Sequence, residues 1–311
     1  MITMAPYTVT DKERWNHHVG RAKNRLFMFD RNFMDYHADR FCDCSQLFFD
    51  DDELLAVLPA SLHGKEVRSH GGLTYGGFIT NAKMKQSKMN ACFAVLCEGL
   101  KKKGIHRFIY KTIPYIYHHL PSDEDLYALF LHGATLLRRD VSSTLDLTRQ
   151  PKMTKGRKAQ AVRARREGVV IEETVDVNTF IQLINHVLAH HQAKAVHTAA
   201  ELELLRLRFP TNIKLFAAKK GDVWLAATLI FEYDHLVHTQ YMAANDLGRE
   251  LGALDFLLVT LIEQYGAQKK YFDFGTSSGA GGCCLNHGLC AQKEGFGGRS
   301  VMCDTYALDL A

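Results

Sequence analysis

The sequence predicts an α/β (α+β) protein made of two tandem halves, each a mixed, mostly antiparallel sheet flanked by helices. Two observations support this prediction. Apolar runs separated by turn residues alternate with helical patterns, and one order of elements, strand, strand, strand, helix, strand, occurs twice. With 311 residues, of which 47% are hydrophobic, the chain is long enough to bury two cores.

Each half begins with a predicted β-hairpin. Residues 45–62 contain two apolar runs joined by an acidic turn, and residues 213–231 contain two apolar runs joined by Lys-Lys-Gly-Asp. Both patterns are typical of hairpins. A Leu-Ala pair stands at 55–56 and again at 225–226, an offset of 170 residues, which indicates one plan used twice.

A strand, a helix and a further strand follow each hairpin. We predict them at 71–79, 89–104 and 106–113 in the first half, and at 236–244, 252–266 and 269–275 in the second. Both helices end in a glycine, which suits the left-handed conformation that closes helices. Another helix is expected within 11–25 and one within 198–208, where Pro210 ends the helical pattern. We expect the strand at 301–310 to complete the second sheet.

The two halves correspond to predicted domains at 1–150 and 176–311, joined by a basic connecting segment at 151–175. This segment carries a run of Lys and Arg among helix-forming residues, so a charged helix is expected. One interpretation is a solvated helix between the domains. The other is a patch that binds the phosphates of a substrate, or of tRNA, through Arg157 and Lys158.

Composition excludes several classes of protein. The charged fraction is 23%, and there is no apolar run of roughly 18 residues or more, so we expect no transmembrane segment. The first residues lack the apolar core of a secretory signal, so we expect a cytoplasmic protein. A net charge of +4 is too small to predict binding to DNA over the whole surface.

The cysteines do not predict a metal site. Eight cysteines without an export signal are expected to be reduced thiols. Cys283, Cys284, His287 and Cys290 lie close together, but structural zinc sites usually have two separated ligand pairs. We therefore expect no bound metal.

The carboxyl-terminal stretch YFDFGTSSGAGGCCLNHGLCAQKEGFGGR (271–299) resembles the Fem family of bacterial acyl and aminoacyl transferases. In that family a strand ending in an Asp-Phe-Gly-like turn precedes a Lys-x-Gly-Phe-Gly motif. Further segments are similar to a branch of the family associated with surface-polysaccharide genes, and they lie at 29–41, 69–78, 110–118, 121–130, 197–201 and 238–244. The resemblance covers most of the chain.

The resemblance implies two tandem domains of the GNAT (N-acetyltransferase-like) fold, in which central strands splay apart around a ligand. It also implies transfer of an acyl group from acyl-CoA, such as acetyl-CoA, to an amine of a nucleotide- or lipid-linked amino sugar, with peripheral membrane contact in the lipid-linked case. Fem proteins often carry a long coiled-coil insertion that this chain lacks. Aminoacyl-tRNA as donor, which the missing insertion makes less expected, and a non-catalytic binding module stay open as alternatives.

Three residues are candidates for catalysis. The resemblance implies that Lys293, in the motif KEGFGGR, stabilises the negative charge that develops on the transferred carbonyl. Asp273 ends a predicted buried strand, where an unpaired carboxylate would be costly, so we expect it to accept hydrogen bonds or to contact the ligand amine. Tyr241 lies on the strand that lines the acyl donor in GNAT enzymes.

Four residues are candidates for binding the donor. Gln240 is adjacent to Tyr241, and strand alternation allows only one of the two to face the cleft. In the following segment NDLGRELGA, Gly248 and Gly252 would let a diphosphate approach the backbone, while Arg249 adds charge at a helix amino terminus. A plain strand-to-helix turn explains the glycines equally well.

Three more residues are candidates for binding the acceptor. They are His238 and Tyr75, for which buried and satisfied polar groups are the alternative interpretation, and Glu201. Glu201 forms an i,i+4 pair with His197 only if a helix already begins at His197. Otherwise either residue is a helix cap.

Overall fold

The structure is a computed structural model that describes residues 1–150, 152–189 and 194–310. Its helices are α1 (Lys12–Arg21), α2 (Arg31–Met34), α3 (Gln86–Lys102), α4 (Glu124–Leu131), α5 (Lys155–Arg166), α6 (Val177–Ala189), α7 (Ala199–Arg208), α8 (Asp246–Leu251), α9 (Ala253–Gly266) and α10 (His287–Gly295). Its strands are β1 (Ile2–Pro6), β2 (Cys42–Asp43), β3 (Gln46–Asp50), β4 (Glu53–Leu58), β5 (Ser61–His63), β6 (Glu66–Arg68), β7 (Ile79–Thr80), β8 (Arg107–Lys111), β9 (Thr135–Asp146), β10 (Val170–Thr174), β11 (Ile213–Lys220), β12 (Val223–Glu232), β13 (Leu236–Ala244), β14 (Tyr271–Thr276), β15 (Ser278–Gly279), β16 (Cys284–Leu285) and β17 (Arg299–Asp309).

The chain divides into two compact units. Unit 1 consists of Met1–Asp140, Gly281–Cys283 and the residues from Met302 onward, and unit 2 consists of Val141–Ala280 and Cys284–Val301. The division therefore differs from the ranges predicted from sequence. The basic segment belongs to unit 2, and β9 and β17 each run from one unit into the other.

Unit 1 contains two groups of paired strands. One is an antiparallel sheet in the order β1-β3-β4-β7, and the other pairs β17 with β8, β8 with β6, β6 with β5 and β5 with β2. Helix α3 packs against β1 and against α4. The core is rich in aromatic rings, and Phe48, Phe78, Phe93 and Phe108 are fully buried in it. Unit 1 thus has a hydrophobic core of its own.

Unit 2 contains strands in the order β10-β11-β12-β13-β14-β9. Neighbours are antiparallel except for β13 and β14, which run parallel. Helix α9 packs across β11, β12 and β13, and the core beneath it includes Val237, Phe272 and Phe274. Helix α6 packs on β12 and β13, and its Phe180 meets the ring of Tyr241 edge-on.

Most predicted elements are confirmed. The two hairpins are β3–β4 and β11–β12, both antiparallel. The predicted helices correspond to α1, α3, α7 and α9, the charged helix to α5, and the predicted strands in the second half to β13 and β14. The helices α4 and α6 and the long strand β9 were not predicted.

The strand predicted at 71–79 is wrong, because only its last residue lies in the short β7. The glycines in this segment permit close packing instead. A methyl group on Gly76 would lie 1.9 Å from the carbonyl oxygen of Ser69, and Gly77 has a φ of +80° with the hydroxyl of Tyr110 beside it. The segment is therefore a tightly packed loop, which an alternating apolar pattern does not distinguish from a strand.

The expectation that residues 301–310 complete the second sheet holds only in part, because β17 follows β9 in the sheet order but its residues from Met302 onward belong to unit 1. This segment forms most of β17, but Thr305 to Asp309 pair antiparallel with β8 of unit 1. Leu308 and Leu310 join the core of unit 1, which explains the pairing. Among the described residues, no helix combines the length and apolar character needed to cross a bilayer.

Candidate active site

Strands β13 and β14 of unit 2 separate after a short paired region. The parallel ladder joins Leu236 to Tyr271, Val237 to Phe272 and His238 to Asp273. Beyond this ladder β13 continues for six residues and β14 for three. On its other side, β14 shifts its register against β9 between Asp273 and Thr276. The two strands therefore diverge from His238 and Asp273 onward, which exposes backbone groups at two strand edges.

A β-bulge at Gln240 determines which side chains of β13 share a face. The ladder with β12 shifts there, so Gln240 is the extra residue. Val237 before the bulge and Met242 after it both pack in the core beneath α9. His238 and Tyr241, three positions apart, therefore lie together on the opposite face of the sheet.

Asp273 is the centre of a buried polar cluster. Its side chain is 0% exposed and accepts hydrogen bonds from Ser142 Oγ at 2.6 Å and Thr144 Oγ1 at 2.7 Å. His238 Nδ1 lies 2.8 Å from its second oxygen. Burial raises the pKa of Asp273, but the hydrogen bonds, that from His238 first, outweigh burial and hold the pKa below its ordinary value. Asp273 thus has the hydrogen bonds that the sequence predicts.

His238 takes its orientation from Asp273. Because a carboxylate only accepts, Nδ1 is the donor to Asp273, and in the neutral form of the imidazole the lone pair is then on Nε2. The ring lies over Gly275, where a methyl group would stand 3.2 Å from His238 Cε1 and 3.9 Å from Nε2. His238 thus lies where the two strands separate. An imidazole oriented by a buried carboxylate suits a general base.

Lys293 lies on α10 and is buried, with 2% of its surface exposed. Its Nζ donates to the carbonyl oxygens of Gly275 at 2.8 Å and Thr276 at 2.7 Å, so it binds the diverging end of β14. Burial lowers the pKa of Lys293 to about 8, and the charge of Asp273 opposes this shift. Two of the three N–H groups serve these carbonyls, and the third remains for another acceptor.

Tyr241 lies on the same face of the sheet, where it contacts the segment before α7. Its hydroxyl accepts a hydrogen bond from the backbone N–H of Val196 at 3.2 Å and lies 2.8 Å from His197 Nδ1. Burial raises the pKa of Tyr241 above its ordinary value. The structure therefore brings His238, Asp273 and Lys293 together around the end of β14 and gives Tyr241 a separate set of partners.

Glu201 is a helix cap. Helix α7 begins after Thr198, whose N–H donates to the Glu201 carboxylate at 2.7 Å, while the N–H of Glu201 donates to Thr198 Oγ1 at 3.2 Å. This reciprocal pair is a capping box. Because the helix does not include His197, the capping alternative is the one that the structure supports.

The glycines of the predicted phosphate loop have packing roles. A methyl group on Gly248 would lie 2.0 Å from the carbonyl oxygen of Leu225, so glycine lets α8 lie against β12. Gly252 has a φ of +76° between α8 and α9, and a methyl group there would lie 2.7 Å from the carbonyl oxygen of Gln160. Arg249 donates to a carbonyl of β13 and to a carboxylate at the start of α8. These contacts favour the strand-to-helix turn as the reason for the glycines.

The basic helix α5 lies beside the junction of α8 and α9. Arg157 Nη1 is 2.8 Å from Asp255 in the first turn of α9, and its guanidinium lies 5.4 Å from the ring centroid of Phe296. Arg157 is therefore fixed by contacts within unit 2, whereas Lys158 is exposed. The other exposed basic side chains of α5 are Lys155, Arg163, Arg165 and Arg166.

Tyr75 lies in unit 1 and is buried, with its hydroxyl 3.1 Å from that of Tyr117. The same glycine-rich loop surrounds a half-buried lysine, Lys111, whose Nζ donates to the carbonyl oxygens of Leu73 at 2.5 Å and His70 at 3.2 Å. Burial lowers the pKa of Lys111 to about 8. Each unit thus holds a lysine that binds two backbone carbonyls.

The strands β8, which ends at Lys111, and β14, whose end Lys293 binds, differ at one position that matters for chemistry. β8 reads RFIYK and β14 begins YFDFG, and the two align through their aromatic residues. In this alignment Ile109 stands where unit 2 has Asp273. Unit 1 therefore lacks the carboxylate on which the polar cluster of unit 2 is built.

Ser142 and Thr144 are the site residues that were not predicted. They lie two positions apart on β9, so both face the same side of the sheet as Asp273, and Thr144 is its partner in the ladder. The hydroxyl residues of SSTLD are an ordinary strand pattern until the neighbouring strand is known. Their residue types alone gave no signal for the site, since Ser143, which stands between them, is a polar and buried residue as well.

No family model matches the sequence, and neither does any curated protein. Solved structures are similar over most of the chain. FemX superposes with a TM-score of 0.69 at 11% identity, covering 99% of this chain and 97% of FemX. L-PGS from Bacillus licheniformis gives 0.59 at 14% identity, with 83% and 82% covered. A tandem GNAT protein from the clavulanic acid biosynthesis pathway gives 0.57 at 11%, with 100% and 99% covered. At these identities the likeness concerns the fold, and the chain has a tandem GNAT-like fold of the kind found in FemX.

Proposed function

We propose that this protein is an N-acyltransferase that moves an acyl group from a coenzyme A thioester to the amine of an amino sugar in a cell-envelope precursor. The observation that carries the proposal is the position of the His238–Asp273 pair, where β13 and β14 separate. Separated strand edges offer backbone groups to an extended donor arm. The fold and the resemblance to the Fem family support a transferase.

The proposed step uses three side chains of unit 2. The nitrogen of the acceptor amine attacks the thioester carbon, and His238 Nε2 takes a proton from that amine. A C–N bond forms, and negative charge moves to the carbonyl oxygen. Asp273 stabilises the imidazolium that results. The third N–H of Lys293 stabilises the oxyanion, a contribution of about 3–4 kcal/mol for one well-placed donor. The C–S bond then breaks, and the thiolate takes the proton from His238.

The phosphates of the donor would lie near the basic residues of α5. This helix packs on α9 and reaches α8, where Arg163 lies 3.8 Å from Glu250. Lys158, which is exposed, is the residue of this helix that we assign to phosphate binding, and Arg157 is assigned to holding the helix in place. Gln240 lies at the bulge of β13, and Arg249 lies in the last turn of α8, the helix that follows this strand.

Aminoacyl-tRNA is the second candidate donor, and the exposed basic face of α5 favours it. The same three side chains would serve, with a ribose hydroxyl instead of a thiol as the leaving group. Nucleic-acid phosphates make binding steeply dependent on salt, because each contact releases counterions. Salt dependence therefore separates the two donors experimentally.

Two measurements test the proposal: binding of the donor to the purified protein, and identification of the acylated product in cells. At 100 times its dissociation constant, acetyl-CoA should stabilise the protein by about 2.7 kcal/mol, which a thermal shift detects. Mass spectrometry of surface glycans from cells with and without the gene should then identify the missing acyl group. His238→Gln should keep the thermal shift and abolish transfer.

Two other outcomes would reject the first candidate. If no acyl-CoA shifts the melting temperature and charged tRNA binds with a steep salt dependence, the donor is aminoacyl-tRNA. If neither donor binds and the glycans are unchanged, the tandem fold serves as a binding module without chemistry.

A further inference from the structure

Helix α4 of unit 1 is apolar on two faces, of which one is buried. Ala128 and Leu129 are buried against the core. The opposite face carries exposed apolar side chains, namely Leu126, Tyr127, Phe130 and Leu131, and Phe130 is 76% exposed. Such positions, one and four residues apart, form a continuous stripe on a helix. A helix that is apolar all round is normally covered, so the stripe points to a partner surface.

The charged residues of α4 do not interrupt this stripe. Glu124 forms an ion pair with Lys23, and Asp125 accepts a hydrogen bond from the buried tyrosine of β8 at 2.6 Å. After a short turn, the first part of β9 carries two more exposed leucines, Leu136 and Leu137. Strand alternation places them on opposite faces of β9, so the stripe is defined by α4 alone.

Lysines border one end of the stripe. Helices α3 and α4 run in the same direction, as two contacts between them show. Gln86 at the start of α3 donates to a carbonyl at the start of α4 at 2.8 Å. Further along α3, Cys97 Sγ lies 3.9 Å from Nδ1 of His132, which follows the end of α4. The exposed lysines at 101–103 therefore lie at the end of the stripe that carries Phe130. Exposed aromatic and aliphatic side chains next to lysines are typical of surfaces that bind the interface of an anionic membrane.

We propose that the stripe on α4 and the lysines at 101–103 dock this protein on an anionic membrane surface. Phe130 and Leu131 enter the boundary between headgroups and acyl chains, and the lysines contact anionic headgroups. If the protein is the transferase proposed above, docking on a membrane implies that its acceptor is linked to a lipid. Only this statement about the acceptor rests on the proposed function. The membrane contact itself is independent of any transfer reaction.

Charge favours a membrane over a second copy of the chain. In a symmetric dimer the same patch meets itself, so the stripe would bring two sets of lysines to one interface. Within the part of the chain that the structure describes, Lys102 is the one lysine of the three with an ion pair, to Glu98 at 2.6 Å. An anionic lipid surface complements all of these positive charges, whereas a second copy of the patch adds three more lysines to the same interface.

The experiment is co-sedimentation of the full chain with vesicles of phosphatidylglycerol and, separately, of phosphatidylcholine. We expect binding to the first, weakened by added salt, and little binding to the second. Phe130→Gln combined with Leu131→Gln should lower the vesicle affinity at least about tenfold, since two large apolar groups no longer leave water. Lys101→Glu combined with Lys103→Glu should remove the preference for anionic lipid.

Matched controls exist on the same chain. Leu207→Gln changes an 82% exposed leucine on α7 of unit 2, and Lys85→Glu changes an exposed lysine at the opposite end of α3, so both should bind vesicles as the wild type does. Melting temperatures of all variants check folding. Equal binding by the Phe130 and Leu131 variant, or no binding to either vesicle, overturns the proposal. A dimer in solution that this variant converts to a monomer also overturns it in favour of a second copy. A transfer assay with a soluble acceptor should be unaffected, which separates this test from that of the proposed function.

Discussion

At the scale of single residues, Lys293 has both a structural and a chemical interpretation. Its two bonds to the carbonyls of Gly275 and Thr276 hold the end of β14, and breaking them would leave the buried carbonyl of Gly275 without this donor. Its remaining N–H and its place beside Asp273 suit an oxyanion donor. The two interpretations predict different losses, so they can be measured separately.

Lys293→Ala should lower turnover by about 10²–10³ if the ammonium stabilises the transition state. It should also lower the melting temperature, because two backbone carbonyls, that of the buried Gly275 among them, lose their donor. Measuring turnover and melting temperature on one preparation separates the effects. Lys293→Arg should rescue turnover poorly, since a planar guanidinium cannot place its charge where an ammonium stood. If the residual folded Ala variant turns over at the wild-type rate, the chemical role is disproved.

A pH profile provides an independent check. The pKa of Lys293 is about 8, so its ammonium, and with it turnover, should be lost as the pH rises through about 8. The contribution of Lys293 to the free energy of unfolding changes with pH in the opposite direction to turnover. Between about pH 8 and the ordinary lysine pKa near 10.4, the unfolded chain binds a proton that the folded chain has lost, so this residue's contribution to stability rises with pH.

The control for that profile is in unit 1. Lys111 also has a pKa of about 8, so the pH dependence of stability contains both lysines. Lys111→Met should remove part of the stability change while leaving the fall in turnover in place. In Lys293→Arg the fall in turnover near pH 8 should disappear, since the guanidinium stays charged. A fall that persists in the Arg variant assigns the titration to another group.

The residues of the site were predictable to different degrees. Asp273 and Lys293 were identified because the DFG and KEGFG patterns are local in sequence. The relation between His238 and Tyr241 was not, because a bulge at Gln240 shifts the alternation of side chains and a single-sequence pattern does not show a bulge. Ser142 enters the site through a strand pairing more than a hundred residues distant, and such pairings leave no local signal.

At the scale of elements, the glycines show how one pattern supports two explanations. Gly248 fits a phosphate loop in sequence, yet in the structure it permits contact between α8 and the carbonyl of Leu225. The hairpins were predicted correctly, since alternation and turn residues there are short-range. The loop at 71–78 was not predicted, because its glycines are required by close contacts with Ser69 and Tyr110, which form only in the folded chain.

Gly248→Ala tests the packing role. A methyl group 2.0 Å from a backbone carbonyl forces α8 away from β12, and overpacking of this kind costs about 1–3 kcal/mol. Gly156→Ala is the control, because this helical glycine has open space around it and alanine there should be neutral or stabilise by up to about 1 kcal/mol. Urea unfolding measures both. Unchanged stability with weakened donor binding would restore the phosphate-loop interpretation of Gly248.

At the scale of the whole molecule, the chain order and the compact units do not coincide. The first unit is completed by the last residues of the chain, because β17 pairs with β8 and its leucines join the core of unit 1. A repeat in sequence suggests two domains that follow each other along the chain, which is the simplest way for one chain to form two domains. Which half receives a terminal strand depends on whether its apolar face fits one core or the other, so the pattern of VMCDTYALDL alone does not decide it.

Removing the residues from 302 onward should therefore unfold unit 1 before unit 2. The truncated chain loses the strand beside β8 together with Leu308 and Leu310, and each buried leucine removed costs about 2–5 kcal/mol, a large part of the stability of a domain. Hydrogen exchange should show lost protection in β3, β4 and α3 while the amides of β11 and β12 stay protected. Leu308→Ala in the full chain should reproduce the effect in weaker form, because the backbone pairing remains. If protection is instead lost in β11 and β12, the terminal strand completes the second unit, as first expected from the sequence, and the division of the chain described above is wrong.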